Sequence, residues 1–156
     1  MDKELYTKVL GRMQAQCSRR ECCSSDIYKK VLKAVDGDVE MAGDVLESLE
    51  KDGFIDDFRY ASAFAREKST LNGWGRIKIA YALSAKGIDR SVIDRAFGET
   101  DSVAAGRRLD SLLASKARSL SGDPQRRLKL IRFALGRGYT YDDVSDAVER
   151  ALAAEK

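Results

Sequence analysis

A repeat of about fifty residues constrains the fold of this chain more than any other feature of its sequence. Gly37, Gly87 and Gly138 each follow a stretch of helical apolar periodicity, as glycines at helix ends do, and they are 50 and 51 residues apart. Arg76 and Arg127 each begin a segment of the form Arg-apolar-Lys-apolar that ends at a glycine eleven residues later. The spacing indicates tandem copies of one helical building block.

Apolar residues spaced at i, i+3 and i+4 predict three helices in each copy. We place the three repeats at 1–54, 55–98 and 99–156. A three-helix repeat of about fifty residues is only marginally stable on its own, and the stacking of neighbouring repeats supplies the remaining burial. We therefore expect an all-α fold of three tandem three-helix repeats forming an elongated molecule, curved or straight. A compact bundle of nine helices is the alternative.

The composition argues against catalytic chemistry. The 156-residue chain has no histidine, the commonest general base and a frequent zinc ligand. Its three cysteines, Cys17, Cys22 and Cys23, are odd in number and do not form the pattern of a four-ligand zinc site. We expect reduced thiols, no catalytic residue, no metal and no cofactor. Because no apolar run or signal segment is present, we also expect a soluble, cytoplasmic protein.

The net charge of +3 conceals a strong segregation of charge along the chain. Residues 36–57 contain nine acidic residues against one lysine, a net charge of −8. Residues 59–88 have a net charge of +5, and residues 105–137 have a net charge of +7. Fields of this kind steer association with a partner of opposite charge, either nucleic-acid phosphate or an acidic protein surface.

The helix predicted before Gly138 has a basic and an apolar face. The bases at i, i+3 and i+6 are Arg126, Lys129 and Arg132. The apolar residues at i, i+3 and i+7, which we predict to be buried, are Leu128, Ile131 and Leu135. An ordinary solvated helix face is the alternative to a binding surface. The recurrence of the Arg-x-Lys pair in two repeats favours the binding surface.

Two other motifs invite a chemical interpretation. Asp56 and Asp57 are adjacent carboxylates at a predicted helix start, where capping explains them better than acid–base chemistry does. Gly73-Trp74-Gly75 lacks the spacing and the preceding strand of a phosphate-binding loop. Trp74 is either a core residue that begins a helix or a platform for base stacking.

Longer motifs occur in the second and third repeats, namely Gly53-Phe-Ile-Asp-Asp-Phe-Arg-Tyr-Ala61, Trp74-Gly-Arg-Ile-Lys-Ile79, Leu83-Ser-Ala-Lys-Gly-Ile88 and, in the third repeat, Arg137-Gly-Tyr139. Together these motifs resemble the RecX family of recombination regulators. The resemblance implies tandem three-helix domains without a cofactor. It further implies a monomeric regulator, mainly an inhibitor, that binds the RecA filament on single-stranded DNA. Such a regulator restrains filament extension, ATP hydrolysis and strand exchange in DNA repair, recombination and the SOS response.

The basic repeats and the resemblance together nominate a set of binding residues. Those expected to contact RecA or DNA are Arg76, Lys78, Arg107, Arg108, Arg126, Arg127, Lys129, Arg132 and Arg137. Those expected to serve folding and packing are Gly53, Asp56, Asp57, Arg59, Tyr60, Trp74, Gly75, Gly87 and Gly138. Two other functions stay open: a nucleic-acid-binding helical module that acts without RecA, and a helical scaffold that offers its acidic 36–57 segment to a basic partner.

Overall fold

The computed structural model describes residues 2–155, and within that range it contains helices and no strand. The elements are α1 (Lys3–Arg19), α2 (Ser24–Ala34), α3 (Val39–Lys51), α4 (Asp57–Asn72), α5 (Arg76–Ala85), α6 (Arg90–Gly98), α7 (Ser102–Ser119), α8 (Arg126–Gly136) and α9 (Tyr141–Ala154). The prediction of an all-α fold is confirmed. None of the helices in this range is long and apolar enough to cross a membrane.

The chain divides into two compact units. The first unit contains the residues up to Ala63 together with Ser84–Ala96, and the second contains Phe64–Leu83 together with the chain from Phe97 onward. By sequence, the first unit holds 13 basic and 15 acidic residues, and the second holds 15 basic and 10 acidic residues. The second unit is therefore the cationic one. The division into three repeats at 1–54, 55–98 and 99–156 stays a prediction.

The first unit is built around a core contributed by α1, α2 and α3. Its buried side chains include Val9 and Met13 on α1, Ile27 on α2, and Val45 and Leu49 on α3. These residues recur at helical spacing, so each helix turns one apolar stripe inward. Four acidic residues of the 36–57 segment lie at helix starts, where a negative charge interacts favourably with the N-terminal end of the helix dipole: Asp38 and Glu40 at α3, and Asp56 and Asp57 at α4.

The paired aspartates at the start of α4 serve two different helices. Asp56 Oδ1 accepts a hydrogen bond of 3.0 Å from the Arg59 amide, which caps α4 itself. Asp57 instead accepts from the amide of Ser24 at 2.8 Å and from the Ser24 hydroxyl at 2.6 Å. Ser24 is the first residue of α2, and the N-cap Cys23 provides no side-chain cap. Asp57 therefore supplies the cap that α2 lacks in its own sequence.

Arg59 and Tyr60 also lie within the first unit. Arg59 Nε pairs with Glu21 at 2.7 Å, and Arg59 Nη2 donates to the carbonyl of Gly53 at 2.9 Å. Gly53 has a φ of +78°, so a residue without a Cβ suits this turn. Burial raises the pKa of the Tyr60 phenol. Arg59 thus joins the segment before α2 to the turn before α4.

The turn at Gly87 is tied to the start of α2. The Ser25 hydroxyl donates to the carbonyl of Lys86, and the Lys86 ammonium group pairs with Asp26 at 2.8 Å. The hydrogen bond from the Lys86 ammonium group lowers the pKa of the Asp26 carboxyl. Two short-range sequence signals, a serine-rich helix start and a helix-ending glycine, are thereby brought together across sixty residues of chain.

The second unit has its own core, from α7, α8 and α9. Its buried residues include Leu113, Leu130, Ala134, Val144 and Val148. Our prediction for the apolar face of α8 is wrong at two of its three positions. Leu128 and Leu135 are 42% and 40% exposed, and Ile131 is half-buried. Leu130 and Ala134 are buried in their place, because α8 is apolar around much of its circumference and the small Ala134 allows close packing.

Replacing Asp57 should destabilise the first unit more than replacing Asp56. Asp57→Ala leaves two donors of Ser24 without an acceptor, so we expect a loss of about 2 kcal/mol in the free energy of unfolding. Asp56→Ala removes one exposed cap and should cost about 1 kcal/mol. Urea unfolding followed by circular dichroism measures both. Equal losses for the two variants would show that the contact with Ser24 adds nothing beyond an ordinary cap.

The three cysteines are buried and unpaired thiols. Burial raises the pKa of the Cys17 thiol to about 12, and the neighbouring Cys22 thiol adds to the shift. Burial also raises the pKa of the Cys23 thiol. Because only the thiolate is a good nucleophile, Cys17 and Cys23 are inert in the folded protein at neutral pH.

The raised thiol pKa values predict a loss of stability in alkali. An unfolded thiol titrates near pH ~8.5, so the folded state binds more protons than the unfolded state from there up to pH 12 for Cys17. Stability is therefore complete below pH ~8.5 and falls as the pH rises, by at most about 1.4 kcal/mol per pH unit for each such thiol. Urea unfolding at about pH 8, 9 and 10 measures the slope, which Cys17→Ala should reduce.

Candidate interaction surface of the second unit

The turn before α5 and the turn after α8 are joined backbone to backbone. The amide of Gly75 donates to the carbonyl of Arg137 at 2.7 Å, and the amide of Ile77 donates to the carbonyl of Gly138 at 2.9 Å. The first N–H groups of a helix have no partner within that helix. Carbonyl groups that follow α8 supply those partners for α5. We call residues 73–77 with residues 137–139 the glycine junction.

The glycine junction admits no side chain at its two central positions. A Cβ at Gly75 would lie 2.5 Å from the carbonyl oxygen of Gly138, and a Cβ at Gly138 would lie 2.6 Å from the backbone nitrogen of Lys78. Gly138 also has a φ of +96°, a region that residues with a Cβ rarely adopt. Both glycines are therefore required by close backbone approach.

Side chains of the third-repeat turn close the glycine junction from outside. The Tyr139 hydroxyl donates to the carbonyl of Gly73 at 3.1 Å. Arg137 Nη1 donates to the carbonyl of Asn72 at 2.9 Å, and its guanidinium group lies 5.0 Å from the centre of the Phe133 ring. Burial raises the pKa of the Tyr139 phenol. Arg137 and Tyr139 thus act first as parts of the junction.

Three basic side chains beside the glycine junction contact aromatic rings and do not pair with acidic residues in the described part of the chain. The ammonium groups of Lys68 and Lys78 lie 5.1 Å and 4.6 Å from the centre of the Trp74 ring. The Arg76 guanidinium group lies 5.0 Å from the centre of the Phe97 ring. A ring attracts a cation without neutralising it. Within residues 2–155 these three bases form no ion pair, and we call them the uncompensated bases.

Most of the bases predicted on α8 are neutralised by acids of the same unit. The pairs are Arg126 with Glu155, Arg127 with Glu149, and Lys129 with Asp123. The hydrogen bond from Lys129 lowers the pKa of the Asp123 carboxyl. Arg132 is exposed and has no ion pair in the part of the chain that the structure describes. The predicted stripe of three free bases is therefore reduced to one.

The two candidate bases of α7 differ from each other. Arg107 is exposed and makes no ion pair within the described residues. Arg108 is half-buried, and its Nη2 donates to the Ser69 hydroxyl at 2.7 Å. Lys68 is not among the binding residues predicted from the sequence. It lies on α4 and Trp74 follows the end of that helix, so helical spacing does not predict their contact.

A cavity of about 560 Å³ opens beside the uncompensated bases within the second unit. The residues that line it include the aromatic Trp74, Phe97 and Tyr139, the basic Arg76, Arg108 and Arg150, and the acidic Asp143 and Asp146. Aromatic lining residues beside charged ones suit an apolar side chain or a nucleobase from a partner. No cluster of three or more potential metal ligands occurs among residues 2–155.

The fold defines a class of protein, namely a tandem array of three-helix domains. Comparison with known proteins gives the family. Residues 56–96 match the domain described as the second three-helix domain of RecX, and residues 107–148 match the third. The chain belongs to the RecX family, a family of regulatory proteins. The family resemblance inferred from the motifs is confirmed.

Individual relatives support this membership. The regulatory protein RecX of Clostridium botulinum (strain Eklund 17B / Type B) is 30% identical, over 93% of this chain and 74% of that protein. The regulatory protein RecX of Mycolicibacterium smegmatis is 32% identical, and this chain spans 65% of its length. A crystal structure of regulatory protein RecX matches with a TM-score of 0.81 at 26% identity, over 94% of this chain and 72% of that one.

A second solved structure shows the likeness of fold. The crystal structure of RecX from Lactobacillus salivarius matches with a TM-score of 0.86 at 19% identity. The match covers 96% of this chain and 97% of that one. The arrangement of helices is therefore shared along almost the whole chain.

Substitution at the glycine junction should destabilise the second unit. Gly75→Ala and Gly138→Ala each force backbone atoms apart, so we expect a loss of at least about 2 kcal/mol in the free energy of unfolding. Gly106→Ala is the matched control, because this glycine is inside α7 and a Cβ there meets no atom within 4 Å. The control should stabilise the protein by about 0.5 kcal/mol. Equal stability of all three variants in thermal unfolding would contradict the requirement for glycine at the two central positions of the glycine junction.

Proposed function

We propose that this protein is a non-enzymatic regulator, mainly an inhibitor, of the RecA recombinase in the cytoplasm. It binds the RecA filament on single-stranded DNA and restrains filament extension, ATP hydrolysis and strand exchange. Membership of the RecX family supports the proposal. The observation that carries the choice of surface is the group of uncompensated bases around Trp74 and Phe97.

Binding alone is sufficient for such regulation. A protein that binds one filament state more tightly than another shifts the equilibrium between them by mass action. No bond needs to be made or broken. The second unit, with 15 basic against 10 acidic residues, provides a field that accelerates encounter with an acidic partner. Three tandem repeats in a monomer would extend this contact over more than one filament subunit.

The candidate residues fall into two groups by the state of their charge. Arg76, Lys78, Arg107 and Arg132 form no ion pair within residues 2–155, and we assign partner binding to these first. The remaining candidates are already engaged within the second unit and contribute less: Arg108, Arg126, Arg127, Lys129 and Arg137. An engaged base must give up one partner to gain another, which reduces its net contribution.

A nucleic-acid-binding module that acts without RecA is the second candidate function. The Trp74 ring with the ammonium groups of Lys68 and Lys78 above it favours this alternative. Aromatic rings beside lysines are the usual means of holding single strands without sequence preference. The two functions differ in what they require, since only the first needs RecA for an effect.

Charge reversal at the uncompensated bases should remove inhibition of RecA. Arg76→Glu with Lys78→Glu should raise the concentration that half-inhibits RecA-dependent ATP hydrolysis by about tenfold or more. The matched control is Arg127→Glu with Lys129→Glu, which changes the net charge equally but removes bases that are already paired. The control should change the half-inhibiting concentration by no more than about threefold.

The outcome separates the two functions. Equal effects of the two double variants would show that net charge, not this surface, determines binding. A fluorescence titration of single-stranded DNA at two salt concentrations accompanies the assay, because phosphate contacts weaken steeply with salt. Tight binding to bare DNA, with no effect of the wild-type protein on RecA, would contradict the proposed function and support the alternative.

A further inference from the structure

Helix α5 is apolar on two opposite faces, and only one of them is covered. Ile79 and Leu83, four residues apart, are buried. Ile77 and Tyr81, also four residues apart, lie on the other side of the helix and are 56% and 79% exposed. A helix that is apolar around its whole circumference is normally buried. The exposed face of α5 is therefore an apolar surface without a partner among the described residues.

The exposed face belongs to a well-fixed part of the helix. The amide of Ile77 donates to the carbonyl of Gly138, and Gly75 contacts the same turn, so the glycine junction holds the first turn of α5. Buried Ile79 and Leu83 hold the opposite side. The exposure of Ile77 and Tyr81 thus results from where α5 is packed and does not result from a frayed helix end.

Charge around this face favours a partner with carboxylates. Arg76 and Lys78 stand on either side of Ile77 in the sequence, and both are uncompensated bases. The equivalent position of the third repeat is Leu128, which is also exposed. There, however, the flanking bases are ion-paired within the unit. Of these two equivalent positions, Ile77 is the exposed aliphatic residue whose two flanking bases form no ion pair within the described residues.

We propose that Ile77 and Tyr81 are the apolar centre of a protein–protein interface, and that Arg76 and Lys78 form its basic rim. The partner surface is an apolar patch bordered by carboxylates. This inference rests on the proposed function and identifies that surface as part of RecA itself, not of the DNA in the filament. Tyrosine is enriched at the centres of protein interfaces, where an apolar core is surrounded by a polar rim. Phosphates are bound by cations and hydrogen-bond donors, and an isoleucine side chain offers neither.

The test removes the apolar side chains and keeps the charges. Ile77→Ala with Tyr81→Ala shortens both residues and preserves helix propensity. The matched control is Val39→Ala with Tyr141→Ala, a β-branched residue and a tyrosine that are each 63% exposed. The control residues have acidic neighbours, Asp38 and Glu40 beside Val39 and Asp142 beside Tyr141. Circular dichroism and thermal unfolding establish that both variants are folded.

We expect the α5 variant to need about tenfold more protein for half-inhibition of RecA-dependent ATP hydrolysis. The control should stay within about twofold of the wild type, and both should bind single-stranded DNA as the wild type does. Normal inhibition by the α5 variant would overturn this inference while leaving the proposed function in place. A parallel loss of DNA binding would assign the face to nucleic acid and overturn it too. Failure of the wild-type protein to inhibit RecA would instead overturn the proposed function.

A second measurement does not depend on loss of activity. The native cysteines are buried, so Tyr81→Cys introduces one accessible thiol for an environment-sensitive dye. The dye should shift its emission when RecA filaments on single-stranded DNA are added, and single-stranded DNA without RecA should not shift it. Tyr141→Cys, labelled in the same way, should respond to neither. A dye at Tyr81→Cys that responds equally to DNA without RecA would contradict a protein partner.

Discussion

Backbone contact between Gly75 and Gly138 determines where the candidate interaction surface of the second unit lies. Because neither residue has a Cβ, the N–H groups that open α5 reach the carbonyl groups that follow α8. The start of α5 is thereby held against the turn after α8, and this contact sets the positions of Arg76, Ile77 and Lys78. The cationic contacts on Trp74 and Phe97 and the exposed apolar face of α5 both depend on this position.

The charge of a helix in this protein depends on what packs against it. Residues 105–137 have a net charge of +7 in the sequence, against +5 for residues 59–88. In the folded second unit, Glu149 and Glu155 of the α9 segment reach the bases of α8. The bases of α5, from a less basic stretch, meet aromatic rings instead and keep their charge available. Counting charges along the sequence therefore does not show which bases are paired with acids in the folded unit.

Capping shows the same division between local and distant causes. Asp56 caps the helix that it precedes, and its position before α4 is sufficient to predict this. Asp57 looks equivalent in the sequence, yet it caps α2, which begins 33 residues earlier. No spacing rule indicates that contact, because it depends on how α4 approaches α2. The burial pattern of α8 is a similar case, since several of its residues are apolar and packing selected Leu130 and Ala134 over Leu128 and Leu135.

Sequence patterns alone are sufficient to predict the helical class, the helix-ending glycines and the family. These follow from short-range properties, namely apolar spacing, turn glycines and motifs that are contiguous in the chain. Long-range packing determines which bases form no ion pair, which face of α5 is exposed, and the close approach that requires glycine at positions 75 and 138. Each of these depends on atoms that are distant in the sequence, such as Lys68 and Trp74 across a helix end, or Gly75 and Gly138. A sequence records the identity of such residues, but only the fold sets the distance between them.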